Sequence, residues 1–226
     1  MTGAGHDRRP GQGERARSAK RRKPGKADPG TVSIALGPLR VYGSTERQPP
    51  DLRPGCRVEE LGNMGSGLLD VYIDRSVWEA ILQHCRSDRR RELCGVLLGH
   101  YCHSSSGHGA RGQDKPRLFL EIGGSIPAQF TRGRSASVTF THRSWQAILS
   151  SLPEQGDETI VGWYHTHPGF GIFLSGHDRF IHENFFDLPW QVALVVDPIG
   201  SNEGFFYWSN GKIERAVGYG LVKRET

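Results

Sequence analysis

The segment GWYHTHPGFGIFLSGHD, residues 162–178, includes His165, His167, Ser175 and Asp178, side chains able to hold a cation or move a proton. Side chains at i and i+2 of a strand point to the same face, so His165 and His167 can converge on one ion while Thr166 points away. Pro168 and Gly169 then end the strand, because proline donates nothing to a ladder and glycine permits a sharp turn. Ser175, followed by Asp178 and the apolar Phe180 and Ile181, has the form of a helix start with the serine near the N-cap. If the loop Gly169–Leu174 folds back, Asp178 joins the two histidines in a His, His, carboxylate set. Three protein ligands with a fourth position left for water is the arrangement of a catalytic zinc, not of a closed structural one.

Each residue also has a plainer reading. A lone histidine is more often a surface or core residue than a ligand, and Ser175 with Asp178 reads most simply as a cap and a first-turn acid favoured by the helix dipole. Only the joint spacing, with the Pro-Gly turn between, makes the metal reading dominant. A zinc hydrolase also needs a base for the proton of its water, because the metal brings that water's pKa only to about 7. Glu92 is the candidate: it opens the apolar run ELCGVLLGHY, where an acid is out of character. A solvent-facing strand end is the alternative for that glutamate.

These residues need a scaffold, and the chain has length for one domain plus appendages. Between Met1 and Gly30 there are nine Lys or Arg against three acids, a net of +6, while all 226 residues together carry +5. The basic character therefore belongs to the tail, which has almost no apolar residues and is expected to be disordered. A nucleic-acid or acidic-partner arm is one reading of it; a solvated tail is preferred, since no aromatics interleave the charges. Cys56, Cys85, Cys94 and Cys102 form no C-x-x-C pair, which argues against a cysteine-ligated zinc ribbon and for free thiols in a reducing cytoplasm. No signal-peptide core or membrane-length apolar run is expected to take the chain to a membrane.

Residues 31–68 read as a loop-rich extension, with a possible strand in TVSIALGPLRVYG and loop after it. From there the periodicities are clearer. LLDVYID reads as a strand, and RSVWEAILQHC places Val77, Trp78, Ile81, Leu82 and Cys85 on one helical face. ELCGVLLGHY, RLFLEIGGSIPA and SASVTFT read as strands, and HRSWQAILSSL as a helix with Trp145, Ile148, Leu149 and Leu152 aligned. TIVGWYHTH is a strand, SGHDRFIHENFF a helix and WQVALVVDP a strand, and EGFFYWSNGKIERAVGYG closes as a strand pair turning at Asn210-Gly211. This order suggests an α/β sandwich around one mainly antiparallel sheet, with a folded domain over residues 69–222.

Glu92 with CGVLLG after it, and His165-Thr166-His167-Pro168-Gly169-Phe170-Gly171 leading through Leu174 to Ser175 and Asp178, resemble the JAMM metallopeptidases, the catalytic branch of the MPN domain family. The spacing is matched without a gap, and the likeness runs from about Leu69 to Val222. The resemblance implies an MPN fold, similar to cytidine deaminases, in which a curved sheet is flanked by helices. It implies that His165, His167 and Asp178 bind Zn2+, that Glu92 is general base on the zinc-bound water, and that Ser175 donates to the developing oxyanion. One such donor typically contributes about 2.7 to 4 kcal/mol. The family hydrolyses isopeptide or peptide bonds after the C-terminal Gly-Gly of ubiquitin or ubiquitin-like proteins, some bacterial members acting on sulfur-carrier relatives. The implied substrate is thus a ubiquitin-like protein or its conjugates, with an activating-enzyme-type partner in the same pathway.

His177 departs from the family pattern, which usually has a small or apolar residue there; it is expected to face solvent at the helix start, or else to touch the groove and alter substrate choice. Cys94, two residues after Glu92, is expected to be a buried apolar thiol and not a ligand. The loops Cys102–Pro116 and Gly169–Leu174 are candidate walls for a groove taking an extended Gly-Gly tail. Two other functions fit the same fold: a non-catalytic MPN-type scaffold, which usually lacks a ligand, and a RadC-like nucleic-acid-associated protein using the basic tail. The charge of −1 outside that tail counts against the second, so nucleic acid is expected only through the tail.

Overall fold

The computed structural model describes residues 43–65, 67–105, 116–134, 137–152 and 157–225. The basic tail and the possible strand over residues 31–42 lie outside them, as do residues 106–115 of one candidate groove wall. In chain order the elements are β1 (Thr45–Glu46), β2 (Cys56–Gly62), β3 (Asp70–Asp74), α1 (Arg75–Arg86), β4 (Cys94–Ser104), β5 (Arg117–Pro127), β6 (Arg132–Arg134), β7 (Ser137–Thr139) and α2 (His142–Ser150). They continue with β8 (Thr159–Thr166), α3 (Gly176–Phe185), β9 (Val192–Asp197), β10 (Asn202–Ser209), β11 (Lys212–Arg215) and β12 (Gly218–Arg224).

Among the described residues one sheet runs in the order β11-β10-β9-β8-β4-β5-β3-β12-β2, with β1 added to β4, and β6 and β7 form a separate hairpin. The sheet is mixed: β1 on β4, β3 on both β5 and β12, and β8 on β9 run parallel, and the other five pairings are antiparallel. Antiparallel pairing is the majority by that narrow margin. The parallel β8–β9 pair is joined through α3, so the helix after the histidine strand packs back onto the same sheet.

Alternation along the strands divides the core in two. Val161 and Tyr164 of β8, Leu97 of β4 and Leu194 and Val196 of β9 join Trp78, Ile81 and Cys85 of α1 on one side. Trp163, Val96, Leu98, Ala193 and Val195 join Ile148 of α2 and Ile181 of α3 on the other. The expected face of α1 is the one buried. In α2, Ile148 is buried but Leu149 is 58% exposed, a departure from the aligned face.

The segment read as loop after residue 43 contains β2, which pairs along its length with β12. Its sequence, CRVEELG, is charged and alternates imperfectly, as suits an edge strand that no second layer covers on both faces. Ion pairs fasten the stretch before it: Arg53 grips the buried Glu121 through two bonds of 2.7 and 3.0 Å, and Arg117 reaches Asp51 at 2.8 Å. The Asn210-Gly211 turn has φ of 50° and 75°, the paired positive values of a tight hairpin.

Candidate metal centre

The β4–β8 register assembles the site. Cys94 faces His165 across the antiparallel pair, so two residues further out Glu92 stands opposite His167, all on one face. Between them Thr166 turns away from the site and clamps the strand mouth: its amide donates to the Leu93 carbonyl at 2.9 Å, and its hydroxyl accepts from the Leu93 amide at 2.9 Å. On the other flank the His167 amide donates to the Val196 carbonyl of β9 at 2.9 Å.

The return loop is held by a residue that sequence reading missed. Gly169 and Gly171 take φ of 78° and 81°, and their amides donate to the two oxygens of Asp197 at 2.8 and 3.1 Å. The amides of Ile199 and Gly200 donate to the same carboxylate, each at 2.9 Å. These bonds hold the carboxyl below the usual carboxylate range although burial pulls the other way. The signal for Asp197 was its place between an apolar strand and a proline, where aspartate commonly orders a turn.

Ser175 is the N-cap of α3 in a reciprocal box: the Asp178 amide donates to Ser175 Oγ at 3.2 Å, and the Ser175 amide donates to Asp178 Oδ2 at 2.7 Å. The hydroxyl of Ser175 accepts in this box and keeps its own proton to donate. The box also aims Asp178. Its Oδ2 lies 3.2 Å from His167 Nε2, its Oδ1 lies 3.5 Å from His165 Nε2, and the two Nε2 atoms are 3.2 Å apart. Ligands about 2.0–2.1 Å from a tetrahedral zinc sit roughly 3.3 Å from one another, so the two imidazole nitrogens and the Asp178 carboxylate, which meets each of them through a different oxygen, are spaced close to the edges of such a site.

All three residues are buried, as is Glu92 at 3% exposure. Glu92 Oε1 lies 4.0 Å from His167 Nε2, and its Oε2 is a buried oxygen with no hydrogen-bond partner among the described residues. A buried carboxylate oxygen left open beside three convergent ligands suits a base facing a water. Burial pushes the Glu92 carboxyl up to about 7, against the pull of His167 and with help from Asp178. Burial likewise lowers His165, whereas His167 is raised despite burial by its contact with Asp178. Asp178 itself is held far below the carboxylate range by the two imidazoles, again against burial.

The ligand rings are braced. His165 lies on Trp163 with centroids 4.4 Å apart and planes at 13°, the Trp163 indole donates to His182 Nδ1 at 3.1 Å, and His167 Nδ1 faces the Gly171 carbonyl at 3.3 Å. His167, with its second nitrogen engaged, keeps its orientation and tautomer, whereas His165 Nδ1 has no partner among the described residues and that ring is held by its stacking on Trp163. Phe173, 45% exposed, stands 4.6 Å from the His167 ring and gives the site's entrance an apolar edge. Cys94 is buried with its thiol pushed upward and lies outside the convergent group, as an apolar thiol should. His177 does not face solvent as expected: it is half-buried, with Nε2 3.1 Å from both the Val138 carbonyl and Thr139 Oγ1.

The family model of the JAB1/Mov34/MPN/PAD-1 ubiquitin proteases matches residues 66–188. The 26S proteasome non-ATPase regulatory subunit 14 of Caenorhabditis elegans is 33% identical over 165 residues, covering 68% of this chain and 48% of that one. Its Drosophila melanogaster counterpart is 34% identical over 137 residues, 59% of this chain and 40% of the relative. The ubiquitin carboxyl-terminal hydrolase RPN11 of Saccharomyces cerevisiae is 32% identical over 137 residues, with the same shares of 59% and 40%. The chain thus spans less than half the length of these curated relatives. A solution structure from Desulfitobacterium hafniense superposes with a TM-score of 0.47 at 17% identity, over 65% of this chain and 89% of that one. The matched segment carries the β8–α3 constellation together with Glu92, and the chain belongs to the JAB1/Mov34/MPN/PAD-1 ubiquitin protease family.

Proposed function

We propose that the protein is a zinc-dependent isopeptidase that hydrolyses the bond after the C-terminal Gly-Gly of a ubiquitin-like protein. The observation that carries this reading is the convergence of four buried side chains, His165, His167, Asp178 and Glu92, with an open Glu92 oxygen. His165, His167 and Asp178 would hold the ion, which when bound supplies a lowered water pKa and a polarised scissile carbonyl. Glu92, near neutrality in its pKa, takes the proton of the attacking water at Oε2 as the new C–O bond forms. The Ser175 hydroxyl donates to the oxygen that gains charge. Glu92 then returns the proton to the leaving amine as the C–N bond breaks.

The names of the relatives, proteasome subunits and a ubiquitin carboxyl-terminal hydrolase, support a modifier of the ubiquitin class as substrate. A sulfur-carrier relative of ubiquitin and an activating-enzyme-type partner belong to the same proposal, as do a cytoplasmic setting and a catalytic domain centred on residues 69–222. Among the described residues no helix is long and apolar enough to cross a membrane. Elemental analysis of the purified chain, followed by incubation with a Gly-Gly-linked ubiquitin fusion, tests the reading. One zinc per chain and cleavage abolished by a chelator and restored by zinc are expected. A chain that carries no zinc and cleaves nothing would be the scaffold instead.

A further inference from the structure

Of the three ligands of the proposed centre, His165 has the least direct support. His167 Nδ1 faces the Gly171 carbonyl and Asp178 is held in its capping box with Ser175, but His165 Nδ1 has no partner among the described residues. What sets its plane is Trp163, two residues back on the same face of β8, with ring centroids 4.4 Å apart and planes at 13°. The orientation of His165 is therefore only as firm as that of the Trp163 ring.

Phe186 stacks on that indole at 5.7 Å and Phe140 meets it at 6.1 Å, contacts that carry no direction within the ring plane. The directional tie is the bond from Trp163 Nε1 to His182 Nδ1, 3.1 Å long between two fully buried side chains. An indole nitrogen only donates, so His182 Nδ1 accepts and the His182 proton sits on Nε2. His182 is itself set by stacking on Trp208 at 5.2 Å, and the Trp208 indole donates to the Phe186 carbonyl at the end of α3 at 3.1 Å. His182 lies four residues after Asp178, on the same face of α3. One helix face thus presents a ligand in its first turn and, one turn later, the acceptor that steadies the support of another ligand.

Resting on the zinc reading above, we propose that His182 is a positioning residue of the metal centre: through the Trp163 indole it fixes the His165 ring, and so sets how tightly the ion is held. It belongs neither to the ligand set nor to the reacting groups. Removing its acceptor frees the indole and lets the His165 ring turn, while His167 and Asp178 keep their own supports.

The test compares the full chain with three variants. His182→Leu removes the acceptor, His182→Gln offers a side-chain oxygen in its place, and Trp163→Phe removes the donor while keeping an aromatic ring. Zinc dissociation constants are read by competition with a chromophoric chelator, and the Trp163 indole proton by NMR of the zinc-free proteins. His182→Leu should bind zinc about tenfold more weakly, the low end for a lost partner behind a ligand, and His182→Gln should recover most of the affinity. Trp163→Phe should also weaken binding, and adding His182→Leu to it should weaken it no further, because both changes cut one bond. The indole proton should move upfield in His182→Leu and return in His182→Gln. A parent that binds no zinc sinks the metal reading and this proposal with it. A parent that binds zinc beside a His182→Leu protein of equal affinity sinks the proposal alone, as do a glutamine variant as weak as the leucine one and losses that multiply in the double variant. An indole resonance unmoved in His182→Leu overturns the tie whatever the metal does.

Discussion

Asp197 accepts from four amides, two in the loop between His167 and the helix start and two in the turn that follows Asp197 itself, and its removal gives a worked prediction. Oδ1 serves Gly169, Ile199 and Gly200, and Oδ2 serves Gly171. Ile199 lies on an exposed turn at 56% exposure, and Gly200 beside it is also exposed, so water can replace the carboxylate at those two amides. The half-buried Gly171 amide loses a charge-assisted bond of about 1.5 kcal/mol or more and the exposed Gly169 amide loses less, so Asp197→Ala should cost about 2 kcal/mol. Asp197→Asn keeps one accepting oxygen for the three amides now at Oδ1 and fails only Gly171, costing about 1 kcal/mol. Urea unfolding of the zinc-free proteins reads this as a lower midpoint at constant slope. The carboxylate's contribution is present above the ordinary pKa of about 4 and is lost as pH falls through its lower folded value. An Asp197→Ala protein within about 0.5 kcal/mol of the parent, or an Asn variant as damaged as the Ala one, would refute the reasoning.

Three further outcomes follow from the same geometry. At a zinc concentration 100 times its dissociation constant the parent should gain about 2.7 kcal/mol of stability in thermal unfolding, and His165→Ala should gain none. His182 is buried, and its pKa is lowered to about 3 by burial and by His165, so the fold takes up its proton less readily than the unfolded chain does. Its stabilisation is complete above the unfolded pKa of about 6.5 and is lost toward pH 3 at up to about 1.4 kcal/mol per unit, a slope that denaturation at stepped pH should find missing in His182→Phe. Gly162→Ala would drive a Cβ into the Val192 carbonyl of β9, and should lower stability by about 3 kcal/mol in the same unfolding assay.

Much of the site was legible because it is local. The His165-x-His167 pair follows from strand parity, and the Ser175–Asp178 pair from helix capping, both within a few residues. Glu92 was legible as an acid out of place beside an apolar run, but what brings it to the histidines is the Cys94–His165 register across some 70 residues, which no local pattern states. The buried strands announced themselves by apolar runs. The edge strand β2 did not, since its pairing with β12 rests on backbone bonds and not on an apolar face. Asp197 escaped notice, and the partner of His177 was not foreseen, for one shared reason: each acts on backbone groups of a distant segment, His177 on β7 and Asp197 on the loop after β8. Leu149 was placed in the core by periodicity alone, whereas α2 meets the sheet along a narrower stripe through Ile148.

The central claim is that Glu92 moves the proton at a zinc centre made by His165, His167 and Asp178. Cleavage of a Gly-Gly-linked ubiquitin fusion by the parent and by Glu92→Gln, at matched and measured zinc content, tests it most directly. The account predicts that Glu92→Gln keeps its zinc and loses at least about 100-fold in kcat, the lower range for a general base. A Glu92→Gln protein that holds zinc and cleaves as fast as the parent would contradict it.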